Sequence, residues 1–357
     1  MAIIFMDSFD HYATAQAGAK YTGGFNGNIG AIGRFGTNGY YRGGNEAAAR
    51  PIGNIPVVIV GCAFQDTILP SGSGERAPAF TFFQGGEHQV SISMEAGGYL
   101  VARRGTISGT AIATSTTQFS GATWYYIEIK IKFHGSTGTL DMNVNGVADA
   151  GFAKTGLNTI VSANAWIDTV RLGGNQYGQV PGSLYYDDVY ICDTNGPNNI
   201  FLGDIRVEYL VPNGSGVKTQ FTPSTGSNWQ TVDELSPSDA DYNSASILGA
   251  MDLFGMTNMV GNGLVRGVQT ILRGKKDDAG FRRVKPAFYK ASGSGDTDRF
   301  YQGSQYPVGD SLDYGTPQVF NTSPDTGVAW TVDEVNALQY GYAVGDAGMF
   351  TLYAKLV

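Results

Sequence analysis

The chain predicts an all-β protein: an antiparallel β-sandwich of jelly-roll type followed by a second β-sandwich-like domain. Three observations carry this. First, residues 123–147 (TWYYIEIKIKFHGSTGTLDMNVNGV) alternate apolar and polar side chains along two successive runs, and a period of two marks strands with one dry face. Second, glycine is abundant at 51 residues, and turn signals recur about every 8–12 residues, the rhythm of sandwiches and jelly rolls. Third, no stretch sustains a 3.6-residue apolar period over the length of a helix. A sheet with one apolar side must be covered, and in an all-β chain a second sheet is the usual cover.

The elements follow in order. Residues 2–5 form a short apolar strand that runs into Asp7-Ser8-Phe9-Asp10. Residues 18–46, rich in Gly, Asn, Tyr and Arg, read as a long loop with short strands. Residues 55–64 (IPVVIVGCAF) are continuously apolar, as a central strand buried on both faces requires. Residues 79–83, 90–94 and 99–103 follow, separated by Gly85-Gly86 and Gly97-Gly98. In the 123–147 run, Asn145-Gly146 predicts a tight hairpin, because both residues tolerate positive φ. Residues 166–172 and 184–192 (LYYDDVYIC) close the first half. Residues 193–199 (DTNGPNN) read as a boundary turn, giving domains 1–198 and 199–357.

The second half opens with a strand expected over 200–211. It also carries an internal echo. Residues 222–235 read TPSTGSNWQTVDEL and residues 322–335 read TSPDTGVAWTVDEV, each passing through Trp into Thr-Val-Asp-Glu. Either one turn is reused at two corners or there is a weak duplication. Further strands are expected at 265–272, 282–289 and 349–357.

The totals exclude several functions. The formal net charge is −8, so there is no electrostatic footprint for nucleic acid, which calls for clustered Lys and Arg. Cys62 and Cys192, each in an apolar strand-like run, read as two buried free thiols made in a reducing cytoplasm. The first residues show no signal-peptide pattern, and no run is long enough to span a bilayer.

The catalytic residue types are sparse. Nucleophilic hydrolysis needs a base beside the nucleophile, and His11, His88 and His134 all read as surface histidines without such a neighbour. Glycoside hydrolysis needs two carboxylates about 5–9.5 Å apart. Here Glu128 is the one carboxylate on its strand and reads, with Lys130 and Lys132, as a solvated or interface face, and Glu87 and Glu95 are a pair that a turn would bring together. Asp187 and Asp188, with Asp193 and Asn195, offer hard oxygens for Ca²⁺. Neighbours on a strand point to opposite faces, however, so the two aspartates cannot share an ion without a bulge, and hydrogen bonding to a nearby turn is favoured. No catalytic residue, cofactor or metal is assigned.

Aromatics supply the remaining signal. Tyrosine pairs recur at Tyr40-Tyr41, Tyr125-Tyr126 and Tyr185-Tyr186; on a strand one ring enters the core and the other faces out, where it suits sugar stacking or subunit contacts. The interface candidates are Tyr21, Phe25, Arg34, Phe35, Tyr40, Tyr41 and Arg42 on the long loop and its edge, with Phe254 and Met256 second. The alternative is that the loop packs its own rings.

Two resemblances sit beside these readings. The first half resembles the concanavalin A-like, laminin-G-like jelly rolls through Trp124-Tyr125-Tyr126-Ile127-Glu128, Val144-Asn145-Gly146 and Tyr186-Asp187-Asp188-Val189-Tyr190. That likeness implies a first strand beside the last, Ile3 to Phe5 next to Val189 to Ile191. The whole chain is similar to a group of tailed-bacteriophage virion structural proteins through FLGDIRVEYLVPNGSG (201–216), residues 222–234, GAMDLF (249–254), GKKDDAG (274–280) and PDTGVAWTVDEVNALQY (324–340), in that order. It implies a non-enzymatic particle component assembled in the host cytoplasm: head decoration, head fibre or tail appendage. Its partners would be copies of itself in a homo-oligomer and other virion proteins, with a host-surface glycan as the alternative, and neither nucleic acid nor membrane insertion.

Overall fold

The computed structural model describes residues 3–174, 180, 182–235, 238–291, 299–315, 317–345 and 353–356. It is all-β, built from antiparallel sheets, and falls into two compact units, Met1–Val207 and Glu208–Val357.

The first unit is a two-sheet sandwich. Its strands are β1 (Ile3–Asp7), β2 (Asn28–Gly30), β3 (Gly39–Gly43), β4 (Ala47–Ile55), β5 (Val57–Asp66), β6 (Arg76–Gln84), β7 (Glu87–Glu95), β8 (Tyr99–Arg104), β9 (Ala111–Thr114), β10 (Tyr125–Lys132), β11 (Gly138–Val144), β12 (Val147–Ala148), β13 (Lys154–Leu157), β14 (Ile167–Gly173) and β15 (Ser183–Cys192). One sheet has nine strands and runs β12-β11-β10-β5-β15-β3-β2, with β1 on β15 and β13 on β11. The other has six, in the order β4-β14-β6-β7-β8-β9.

Sequence dictates these positions closely. The continuously apolar β5 lies between β10 and β15 in the middle of the larger sheet. Ile127, Ile129 and Ile131 of β10, with Leu140, Met142 and Val144 of β11, turn one face inward. Phe80 and Phe82 from the smaller sheet meet them, Phe80 lying 6.2 Å from Phe64 between ring centroids and Phe82 6.0 Å from Phe133. Asn145 and Gly146 take φ of 50° and 78° and turn β11 into β12. First and last strands are neighbours: Phe5 pairs with Ile191 and Asp7 with Val189.

The second unit has a six-stranded sheet around Met251–Met256, Leu338–Val344 and Arg282–Lys290, and a five-stranded sheet that includes Leu272–Lys275 and Tyr353–Leu356. Phe254, Val284 and Tyr342 from the first sheet pack with Leu272 from the second. Other buried groups form separately around Leu253 and Tyr289, and around Phe288 and Trp330.

Three expectations change here. No strand forms over 200–211; the strand is Pro212–Thr219. Residues 199–207 belong to the first unit, because their hydrogen bonds end on its sheet. The two echoes also fold differently. Asn228–Thr231 is a 3-10 turn, whereas Val332–Ala337 is an α-helix whose N-cap Thr331 accepts from the Glu334 N–H at 3.1 Å. The reason lies downstream. Pro237 stands where a helix capped at Thr231 would need an N–H, and no proline interrupts 332–337.

Candidate functional site

Residues 199–207 lie as a strap across the outer face of the larger sheet. β10 presents Tyr126, Glu128 and Lys130 on that face, opposite Ala63, Gly61 and Ile59 of β5. Gly61 is there to make room: a Cβ on it would stand 2.0 Å from the Tyr190 ring. The ring fills the space a side chain at 61 would take, and its hydroxyl donates to Glu128 Oε1 at 2.5 Å. The strap then seals the pair. The Gly203 N–H donates to Glu128 Oε1 at 2.9 Å, and the Leu202 N–H to the Tyr190 oxygen at 3.3 Å. Glu128 is therefore buried at 0% exposure, not on a solvated face. Strand geometry is absent from the strap because its N–H groups go to side chains rather than to a neighbouring strand.

Arg34, from the turn between β2 and β3, clasps the far end. Its guanidinium reaches Asp188 Oδ2 at 3.0 Å, Asp204 Oδ1 at 2.5 Å and the Ile205 carbonyl at 2.9 Å. It also lies over the rings of Phe35 and Tyr126. Its own N–H donates to Asp187 Oδ2, and the Val207 N–H donates to Asp188 Oδ1. The register of β15 against β5 shifts between Asp187 and Tyr190, and Asp188 takes φ of 49°. This is the bulge that two adjacent aspartates need to serve one side. What they hold is the Arg34 loop and the strap. Burial first, then the charge of Asp188, pushes the Asp187 carboxyl well up; burial likewise raises Asp188 against the pull of Arg34 and the Val207 N–H. Among the described residues no group of three or more His, Cys, Asp or Glu is placed to hold a metal ion.

Beside the strap lies a cleft of about 280 Å³, lined by Lys130, Asp141, Asn143, Asp149, Ile200 and Phe201 among others. Lys130 and Asp141 are cross-strand partners. Asp149 is committed to the backbone, accepting from the N–H groups of Thr116, Thr117 and Gly151 at 2.7–2.9 Å. The cleft thus offers one cation, one carboxylate, one amide and one ring, with no pair of free carboxylates.

The other acid candidates do not converge. Glu87 and Glu95 sit at the two ends of β7, eight residues and therefore about 26 Å apart. That is far outside the reach of glycoside hydrolysis. Glu95 is held by Arg103 at 3.0 Å.

The interface candidates also separate. Tyr21, Tyr40, Arg42 and Phe254 are buried, at 1%, 0%, 1% and 0% exposure, and present nothing to a partner. The long loop packs its own rings: Tyr21 stacks on Phe9 at 6.0 Å and Tyr40 on Tyr186 at 5.6 Å, with half-buried Phe25 between Tyr21 and Tyr40. Tyr41 and Met256 are half-buried, and Arg34 is spent on the clasp. Phe35 stays on the surface.

The histidines likewise differ from expectation. His11 is buried, and its desolvation drops it to about 3. His88 packs on Phe83 at 4.3 Å, and His134 Nδ1 accepts two turn N–H groups, from Ser136 and Thr137. Both cysteines are free and buried.

Asp66 gives a pH-dependent expectation. It is buried, its Oδ1 accepts from the Ile68 N–H at 3.3 Å, and burial pushes its carboxyl up to about 7. A carboxyl raised on folding contributes stability that is present below its ordinary value of 3.8 and is lost as pH rises through about 7. Asp66→Asn should therefore match the parent chain near pH 4 and exceed it above pH 7 by roughly 1–3 kcal/mol, the cost of a buried group poorly paired. Urea unfolding at the two pH values checks this.

No protein-family model matches the chain, and no curated protein matches it. Solved structures similar to it include the cellulose induced protein Cip1, with 16% identity over 48% of this chain and 87% of that one, at a TM-score of 0.36. A Trypanosoma rangeli sialidase follows at 15% identity, 47% and 27% coverage and a TM-score of 0.34. The binding domain of Paraclostridial Mosquitocidal Protein 1 has 12% identity, 64% and 58% coverage and a TM-score of 0.32. This chain spans about a quarter of the sialidase. At these values none of the likenesses assigns a function.

Proposed function

We propose that the chain is a structural protein of a tailed-bacteriophage virion, set on the particle exterior as head decoration, head fibre or tail appendage. It works through contacts with copies of itself and with other coat proteins. The observation that carries this is the division of apolar surface in the second unit. Its described core is split into small groups, while Ile247, Val260, Leu264, Phe281 and Val328 stand 61–81% exposed. Apolar side chains left this exposed are available to a neighbouring subunit, and each one that a neighbour covers gains up to about 1.5–3 kcal/mol. The ordered similarity of residues 201–340 to virion proteins supports the same reading. The net charge of −8 keeps the free subunit soluble until it docks.

The test is fractionation. Particles purified through a density gradient should contain this chain at a fixed ratio to the major coat protein. Its absence from washed particles removes the proposal.

A further inference from the structure

The core side of β1 holds a charged cluster that the strap and the contact surfaces do not use. Asp7 shares that side with Phe5, two residues earlier. Lys20 ends the short helix Ala17–Lys20, and its Nζ lies 2.6 Å from Asp7 Oδ1 with 1% and 0% of the two side chains exposed. His11 Nε2 stands 3.0 Å from the same Nζ. The Tyr12 hydroxyl donates to Asp7 Oδ2, and the Phe9 N–H donates to Oδ1 at 3.2 Å. The rings of Phe5 and Tyr12 lie 5.7 and 5.0 Å from Nζ.

An ion pair this dry is a poor source of stability compared with apolar packing. It does, however, hold an amine and a carboxyl in fixed contact, and reacting groups held together in this way reach very high effective concentrations. We propose that Lys20 and Asp7 condense to an intramolecular isopeptide bond between Nζ and Cγ, tying the first strand to the segment that follows it.

The resting pair is ionised. Burial alone would raise Asp7, but Lys20, His11 and the hydrogen bonds outweigh it. Burial also lowers Lys20, so one proton passed along the 2.6 Å contact gives neutral amine and carboxylic acid. Nζ then attacks Cγ, and the carbonyl electron pair moves onto Oδ2, where the Tyr12 hydroxyl receives it. The second proton passes from Nζ to Oδ1 across the same 2.6 Å contact, while neutral His11 holds Nζ by a hydrogen bond at 3.0 Å. The Cγ–Oδ1 bond breaks, Oδ1 leaves as water, and Oδ2 becomes the amide oxygen. One amine and one acid become one amide and one water, with nothing oxidised or reduced. The dry site then protects the product from hydrolysis.

The inference is independent of the virion proposal. Its test is the intact mass of the folded full-length chain, compared with Lys20→Arg, which keeps the charge but has no nucleophilic amine. The expected parent mass is one water below that of its sequence, and the Lys20→Arg mass equals its own sequence. In denatured parent protein trypsin should fail after Lys20, and chymotryptic pieces holding Asp7 and Lys20 should stay joined. His11→Leu should slow the mass loss after refolding. A parent chain at full sequence mass that is cut after Lys20 overturns the proposal, as does a water loss that maps to other residues.

Discussion

Arg34→Ala is expected to destabilise the first unit by about 3–5 kcal/mol, the usual result of removing one partner from a buried ion pair. The substitution leaves Asp188 and Asp187 side by side without their cation and frees Asp204 and the Ile205 carbonyl. The loss has a pH signature. Both aspartates are raised by burial, so acid neutralises them and reduces the need for Arg34. The deficit should be greatest above neutrality and shrink toward pH 4. Amide exchange should report the strap directly, with Gly203 and Val207 losing protection before the strands do. Arg34→Lys should fall between, since lysine keeps the charge but cannot span two carboxylates and a carbonyl with one planar fork. A deficit below about 1 kcal/mol that does not change with pH would mean that the clasp is a surface ornament.

Trp330→Ala is the second large effect, expected at about 3–5 kcal/mol in the second unit. Trp330 is buried among Phe288, Val335 and Leu338, and its indole N–H donates to the Phe320 carbonyl at 2.7 Å. The same change at Trp229, half-buried at the edge of the group around Phe254, should cost under ~2 kcal/mol because less area leaves water. Urea unfolding followed by amide exchange along Arg282–Lys290 separates the two. Equal losses would contradict the unlike packing of the two echoes.

These two sites show what the sequence made legible and what it hid. Period and turn chemistry were enough for β5, β10, β11 and β15, for the Asn145-Gly146 turn and for the strand Arg282–Lys290, because each is fixed by neighbours close in sequence. The fate of Glu128 was not local. β10 carries a polar residue at every second position, and only the strap some 75 residues later decides that Glu128 is dry while Lys130 lines a cleft. The strap itself is as apolar as a strand and lacks any signal that its N–H groups would go to side chains.

The same limit explains the aromatic loop. Composition marked Tyr21, Tyr40 and Arg42 as contact material, yet composition cannot say whether rings meet a partner or each other, and here they meet Phe9 and Tyr186. His11 and Lys20 offered no pattern at all. A lone lysine after Ala-Gly-Ala reads as surface, and its burial depends on Asp7 across the loop. The exposed residues of the second unit were equally unmarked, since a valine or leucine in a Gly-broken stretch looks the same in or out of a core.

The most direct measurement is an image of the assembled particle at a resolution that shows side chains. Density for this chain is expected on the exterior, with Ile247, Val260, Leu264 and Phe281 covered by neighbouring subunits and the Glu128 face closed beneath its strap. Particles without this chain, or a chain whose apolar residues all face bulk water while Glu128 lies open in a groove, would contradict it.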